Sequence, residues 1–376
     1  MNTPLRRLAC PLTVALVAAG LLPLTASALS YTLTDLGSLT SGDAVATGLN
    51  NSATVVGYSA SSGGSQPNHA VTFGGGSVAD LGTLTTPYTA FSLGQAINDS
   101  GTAVGGSFQQ NGFSHAFSYS GGVMTDLGIG AGSFNTSIAN GINSSGVIVG
   151  QASNASNQNL AFSYSGGTTT FLGALGGTSS AANGINDSGT IVGNAFLTGN
   201  TFPHAFSYSG GVMTDLGTLG GNASYGLGIN SGGVIVGFAE AVASGPLRAF
   251  ISNNGTMTDL GTLGGTRSAA YDINDSGTVV GQADLANGTQ HAFVNLNGGG
   301  MEDLNSDVVN LGSFTLVQAR GVNESGQIAV WGTDTESGSL HAFLLTPQEV
   351  PEASTWAAIA ALSLAGVAQW RRSKRA

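Results

Sequence analysis

The chain has 376 residues, of which 8% are charged and 60 are glycine. Between residues 31 and 347 only Arg248, Arg267 and Arg320 face eighteen acidic residues, a net charge of −15. Nucleic acid is therefore excluded as a partner class, because gripping phosphates takes clustered lysine and arginine. The lone Cys10 leaves no disulfide framework.

Residues 1–28 read as a secretory signal peptide. Arg6 and Arg7 supply a positive start, residues 12–24 an apolar stretch, and Ala26-Ser27-Ala28 a small-residue cleavage site. Cys10 falls inside this segment, and Arg7 three positions before it argues against a lipoprotein. The mature chain is expected to begin near Leu29 without a thiol.

From residue 31 the chain is built on three recurring landmarks, each present seven times. An Asp-Leu-Gly landmark starts at Asp35, Asp80, Asp126, Asp215 and Asp259, with Phe171-Leu172-Gly173 and Asp303-Leu304-Asn305 as variants; successive starts lie 45, 46, 45, 44, 44 and 44 residues apart. An Asn-Asp-Ser-Gly turn starts at Asn98, Asn186 and Asn274, with looser forms at Asn50, Asn143, Asn230 and Asn323. A His-Ala-Phe landmark starts at His115, His204, His291 and His341, with His69-Ala70-Val71, Leu160-Ala161-Phe162 and Arg248-Ala249-Phe250 as variants. This periodic apolar content argues against disorder in a glycine-rich chain.

The unit at residues 269–304 shows what each copy predicts. Residues 269–273 form a short strand, and Asn274 to Gly277 make a turn in which Asn and Asp bond their own backbone and Gly takes positive φ. Residues 278–283 form a β-branched second strand, 291–296 a third and 301–304 a fourth. Four short strands in about 44 residues match a propeller blade. Residues 31–36 correspond to a fourth strand with no partners before it. The last unit offers strands at 317–322, 327–331 and 341–345 and then lacks its fourth. Pairing the two ends gives an all-β, seven-bladed β-propeller of four-stranded blades closed by the N-terminal strand, which removes the exposed edges of an open solenoid. The stretch 31–347 also resembles the HAF-repeat family of probable extracellular proteins, named for the His-Ala-Phe triplet. That resemblance implies an extracellular location and a repeat architecture, and brings no catalytic residues.

His69, His115, His204, His291 and His341 share one landmark position, where a metal ring competes with hydrogen bonds to a neighbouring blade's turn; the interruptions at Leu160 and Arg248, and a third strand's distance from the channel, favour the latter. Asp99, Asp187, Asp275 and Glu324 each give a turn one carboxylate, which suits turn chemistry better than calcium. The Asp-Leu-Gly aspartates are expected to cap backbone amides between blades. Six units carry glycine near the end of the second strand, at Gly57, Gly105, Gly150, Gly193, Gly237 and Gly281, for close backbone approach; the seventh has Val330 and then Trp331. No nucleophile elbow, zinc-protease motif or phosphate loop occurs. The reading is a non-catalytic protein with no metal and no cofactor, with binding positions sought where the repeat breaks, at Leu160, Arg248 and Trp331.

The chain ends in Val350, Pro351 and Glu352, an apolar run and a basic cluster containing Arg371 and Arg372. Residues 353–370 would span about 27 Å as a helix, enough for transient inner-membrane anchoring in a thin bilayer, with the cluster cytoplasmic. This tail resembles the PEP-CTERM sorting signal, although Ala353 stands where that family usually has proline. The resemblance implies a membrane exosortase as a partner and delivery to the cell exterior. The expected function is an exported surface or matrix scaffold that binds an exopolysaccharide or another surface protein. The alternative is a propeller-type glycan lyase or hydrolase.

Overall fold

The computed structural model describes residues 30–61, 68–85, 91–108, 113–129, 134–156 and 158–348. Residues 1–28, read above as a signal peptide, and the tail from residue 349, with Cys10, Val350, Pro351, Glu352, Arg371 and Arg372, lie outside the described residues. Among the described residues no helix is long and apolar enough to cross a membrane.

Seven sheets, antiparallel except for one edge strand of the seventh, form a ring of blades, a seven-bladed β-propeller. Blade 1 runs Ala44–Leu49, Val55–Ala60, Asn68–Gly74 and Ser77–Gly82 from the axis outward. Blades 2, 3 and 4 cover residues 91–126, 134–173 and 176–215 in the same order. Blade 5 is Ser224–Ile229, Ile235–Glu240, Leu247–Asn253 and Thr256–Asp259. Blade 6 is Gly264–Ile273, Val279–Leu285, Gln290–Asn295 and Met301–Asp303. Its first strand begins five residues before the predicted start at 269, because the pairing resumes beyond a register shift, with Gly264 opposite Leu285.

Blade 7 closes the ring with both ends of the described chain. Its strands Phe314–Val322, Ile328–Asp334 and Leu340–Gln348 are completed by Ser30–Asp35, which pairs antiparallel from Ser30 opposite Gln348 to Asp35 opposite Phe343. This blade has a fifth strand that the repeat pattern does not contain. A helical turn, Leu304–Asp307, leads into Val308–Val309, which runs parallel to the N-terminal strand on its outer edge. The closing strand is thus hydrogen-bonded on both edges.

The landmark residues fill the space between blades. Side chains alternate across a strand, so alanine and phenylalanine of one His-Ala-Phe triplet face opposite neighbours: Ala249 packs with Phe293 of blade 6, and Phe250 with Val192 and Ala205 of blade 4. Phe117, Phe162, Phe206, Phe250, Phe293 and Phe343 have no exposed surface, and Phe73 supplies the ring in blade 1, where Val71 takes the landmark position. Burying one such ring stabilises by about 1.5–3 kcal/mol. Five buried serines stitch blades pairwise. Ser92, Ser137, Ser180, Ser224 and Ser268 accept, at 2.8–2.9 Å, the amide of the alanine in the preceding blade's triplet.

The second-strand glycines do allow close backbone approach, and the approach is within a blade. An added Cβ on Gly193 would lie 1.9 Å from the carbonyl oxygen of Ala181 on the adjacent strand. Blade 7 accommodates Val330 through an additional bulge between Leu316 and Gln318, which moves the close approach to Gly332, 2.3 Å from Thr315 O by the same measure.

The first asparagine of the turn landmark makes a contact that spans blades. Asn50 Nδ2 donates to the carbonyl of Asn98, Asn98 to Asn143, and so on through Asn186, Asn230, Asn274 and Asn323, which donates back to Asn50; the seven bonds measure 3.0–3.2 Å. Each Oδ1 accepts the amide four residues on, at 2.9–3.0 Å, and so fixes its own turn. All seven side chains are buried, where an unmade hydrogen bond is costly. Replacing Asn274 with Ala is expected to lower stability by about 2–4 kcal/mol. The exposed Asn51→Ala is expected to cost less than about 1 kcal/mol. Urea midpoints compare the two; equal shifts would remove the ring from its structural role.

Candidate ligand site in the central channel

In every blade the first strand carries a register shift just before the turn, for example between Ala46 and Gly48 and between Ala270 and Asp272. A bulge leaves one residue unpaired and redirects its side chain. The seven unpaired residues are Thr47, Gln95, Asn140, Asn183, Leu227, Tyr271 and Arg320. All seven line a central cavity of about 560 Å³. The repeats are near-identical on either side of this position and different at it.

The cavity therefore has two unlike walls. Blades 1 to 4 present Thr47, Gln95, Asn140, Gln151, Asn183 and Asn194. Thr47 Oγ1 donates to Gly94 O at 2.8 Å, Asn140 Nδ2 to Ala182 O at 2.9 Å, and Asn183 Nδ2 to Gly226 O at 2.8 Å, each reaching the next blade and holding its side chain still. Blades 5 to 7 present Leu227, Phe238, Tyr271, Asp272 and Arg320. Phe238 is stacked on Tyr225, with ring centroids 4.7 Å apart. The Arg320 guanidinium lies 4.0 Å over the Tyr271 ring, a cation–π contact. Arg320 Nε donates to Gln318 Oε1 at 2.9 Å, and Trp331 Nε1 donates to the same oxygen at 3.1 Å. Trp331 is thereby tied to the channel cation through Gln318.

Asp272 stands where six blades have glycine or alanine: Gly48, Ala96, Gly141, Gly184, Gly228 and Gly321. Burial pushes its carboxyl up to about 6, although the amides of Val322 and Ile273, both donating to it at 2.9 Å, pull the other way. Burial also raises the Tyr271 hydroxyl, with Arg320 acting in the opposite sense.

One mouth of the channel is the asparagine ring, surrounded by Asp99, Asp187, Asp275 and Glu324 around a vestibule of about 270 Å³. These carboxylates bond a neighbouring blade's turn rather than their own backbone. Asp99 accepts the amide of Asn51, Asp187 that of Ser144, Asp275 that of Ser231, and Glu324 that of Asp275.

The histidines stand far out on the blades, and their partners differ from the expected ones. Nδ1 of His69, His115, His204 and His291 lies 2.7–2.9 Å from the Asp-Leu-Gly aspartate of its own blade, not from a neighbouring turn. In blade 7 His341 pairs at 2.9 Å with Asp35 of the closing strand. The aspartates likewise cap their own loops rather than bridging blades: Asp80 Oδ1 accepts the Gly82 amide at 2.7 Å. Burial raises Asp80, and His69 with the Gly82 amide more than offset this and hold it below the ordinary carboxylate range. Among the described residues no three His, Cys, Asp or Glu side chains converge as metal ligands.

Leu160 and Arg248 occupy that histidine position in blades 3 and 5, and Trp331 lies on the second strand of blade 7. The three sit on separate blades, and the channel lining contains none of them. In blade 3 histidine and aspartate are replaced together, by Leu160 and Phe171. Arg248 Nε is buried without a hydrogen-bond partner.

Comparison with protein-family models and with curated protein sequences yields no match. Solved structures similar to this chain include a puromycin-hydrolyzing peptidase of Mycobacterium tuberculosis, at 12% identity and TM-score 0.46 over 77% of this chain and 50% of that one. Trypanosoma rangeli sialidase matches at 10% identity and TM-score 0.42, over 84% and 54%. Aleuria aurantia lectin matches at 12% identity and TM-score 0.35, over 73% and 94%. The chain spans about half the length of the peptidase and the sialidase.

The raised Asp272 carboxyl gives a pH test. Its folded-state pKa of about 6 lies above the ordinary 3.8, so folding favours the protonated form. The associated stability is present at acid pH and is lost as pH rises from about 4 to about 6. The melting temperature of the wild type minus that of Asp272→Asn is expected to fall across this window and level off above it. A difference independent of pH would contradict the assignment.

Proposed function

We propose that the protein is a non-catalytic, exported binding scaffold whose central channel holds a segment of glycan. The carrying observation is the uneven wall: amide and hydroxyl side chains come from blades 1 to 4, whereas the two aromatic rings and the charged Asp272 and Arg320 come from blades 5 to 7. A sugar ring has the complementary make-up, with hydroxyls for the amides and a C–H face for Tyr271 and Phe238. Binding sites of this kind combine apolar walls with a few placed polar groups. Gln95 and Gln151 make no side-chain hydrogen bond to another described residue, which leaves both amides available to a ligand.

The alternative, a glycan lyase or hydrolase, would rest on Asp272 as the acid. Both its oxygens accept backbone amides, and the further carboxylates at the channel mouth, Asp99, Asp187, Asp275 and Glu324, each accept an amide of a neighbouring blade's turn. Glycoside hydrolysis ordinarily uses two carboxyl groups about 5–10 Å apart. This favours binding over turnover.

Export through residues 1–28 and processing of the tail by an exosortase-type enzyme, with transient anchoring through 353–370, complete the proposal. An exopolysaccharide of the cell surface is then the natural ligand. Full-length protein titrated against a panel of surface and matrix polysaccharides is expected to bind saturably without releasing products. Tyr271→Ala is expected to weaken that binding at least tenfold with an unchanged melting temperature. Product release, or binding indifferent to Tyr271, would overturn the reading. Deletion of residues 350–376 is expected to mislocalise the protein, as fractionation would detect; unchanged localisation would count against the sorting role.

A further inference from the structure

Beside the channel, between blades 5 and 6, lies a separate recess of about 210 Å³. It shares Phe238 and Tyr271 with the channel, so these two rings form the partition between the spaces. Its other polar side chains are Arg267, Gln282, Asp284, Gln290 and Ser268, whose hydroxyl is already engaged by the Ala249 amide and the Gly261 carbonyl. The volume is below the roughly 300–1,000 Å³ of pockets that enclose drug-sized ligands, and suits about one sugar ring.

Three features give this recess a chemical preference. Gln282 Oε1 is buried there with no hydrogen-bond partner, and a buried acceptor left unpaired costs about 1–3 kcal/mol. A ligand hydroxyl would remove that cost. Arg267 is exposed, and among the described residues none of the three arginines lies within ion-pair distance of a carboxylate; the ion pairs are all made by histidines. In a stretch with eighteen acidic residues and three arginines, a cation kept unpaired at the rim of a recess is available to an external anion. A guanidinium fork matches a carboxylate with two parallel hydrogen bonds. Asp284 lines the same recess and repels anions, but it also accepts hydroxyl hydrogen bonds, so a ligand must present its carboxylate toward Arg267 and hydroxyls toward Asp284 and Gln282. Sugar acids have this combination of one carboxylate with several hydroxyls on a ring.

We propose that the recess between blades 5 and 6 is a subsite for an acidic sugar residue of the glycan, with Arg267 pairing with its carboxylate and Gln282 accepting a hydroxyl. The proposal rests on the glycan-binding reading of the channel and adds that the glycan carries uronate-type residues. Calorimetry on the full-length protein with uronate-containing oligosaccharides and their methyl esters, the same rings without the charge, tests it. The acids are expected to bind at least tenfold more tightly than the esters. Arg267→Gln is expected to abolish this preference, leaving ester affinity and melting temperature unchanged, and Gln282→Leu to weaken both forms. Equal affinity of acids and esters, or a preference that survives Arg267→Gln, overturns the subsite while the channel reading stands. Absence of binding to every saccharide, acid or ester, removes both.

Discussion

The hydrogen-bonded ring of seven asparagines is the constraint on which the remaining geometry depends. Each side chain is used twice, once to fix its own turn and once to reach the next blade's main chain. Hydrophobic packing between blades tolerates small rotations, because alanine and valine surfaces are nearly featureless. A closed circuit of directional bonds does not, since each bond has a length and an angle to satisfy. The circuit therefore sets the angular spacing of the blades, and with it the bore of the channel and the orientation of the residues lining it. Burial adds to the effect, because amides removed from water must find a partner.

On this fixed rim stands a wall whose lining is free to vary. The bulged residue of each first strand is unpaired in the ladder, so its identity is unconstrained by the sheet. The chain uses that freedom to place Thr47, Gln95, Asn140 and Asn183 on one side and Leu227, Tyr271 and Arg320 on the other. Rigidity and variability are thus assigned to adjacent positions in the same strand. Asp272, next to Tyr271, shows what happens when a charged residue enters a constrained place: it survives by taking two backbone amides and by holding its proton more tightly.

The seven blades and the closing strand were legible because landmarks, spacing and the unmatched ends are properties of a one-dimensional string. The role of Asn274 was not: its turn chemistry is local, whereas its bond to Asn323 joins residues 49 positions apart. The histidines are visible as a series, whereas their partner, the Asp-Leu-Gly aspartate of the same sheet, is not. The joint replacement of histidine and aspartate by Leu160 and Phe171 was the available sign that the two landmarks meet. Channel residues were hidden for a different reason. Gln95, Leu227, Tyr271 and Arg320 share no chemistry, so no repeated residue marks their position; only a column of difference between columns of sameness does. Trp331 stood out by composition and does connect to the channel, through Gln318.

The N-terminal strand lies between Leu340–Gln348 and Val308–Val309. A chain emerging N-terminus first must therefore hold the strand Ser30–Asp35 without its antiparallel partner until about three hundred further residues have appeared. Contacts so distant along the chain form slowly, because the loop must be closed before they repay the lost entropy. Until then the arc of blades has two raw edges and no circuit of amides. The ring can close only once residues 340–348 are present, so a chain that lacks the strand on either side of this seam loses the seam itself, whatever remains of the other six blades.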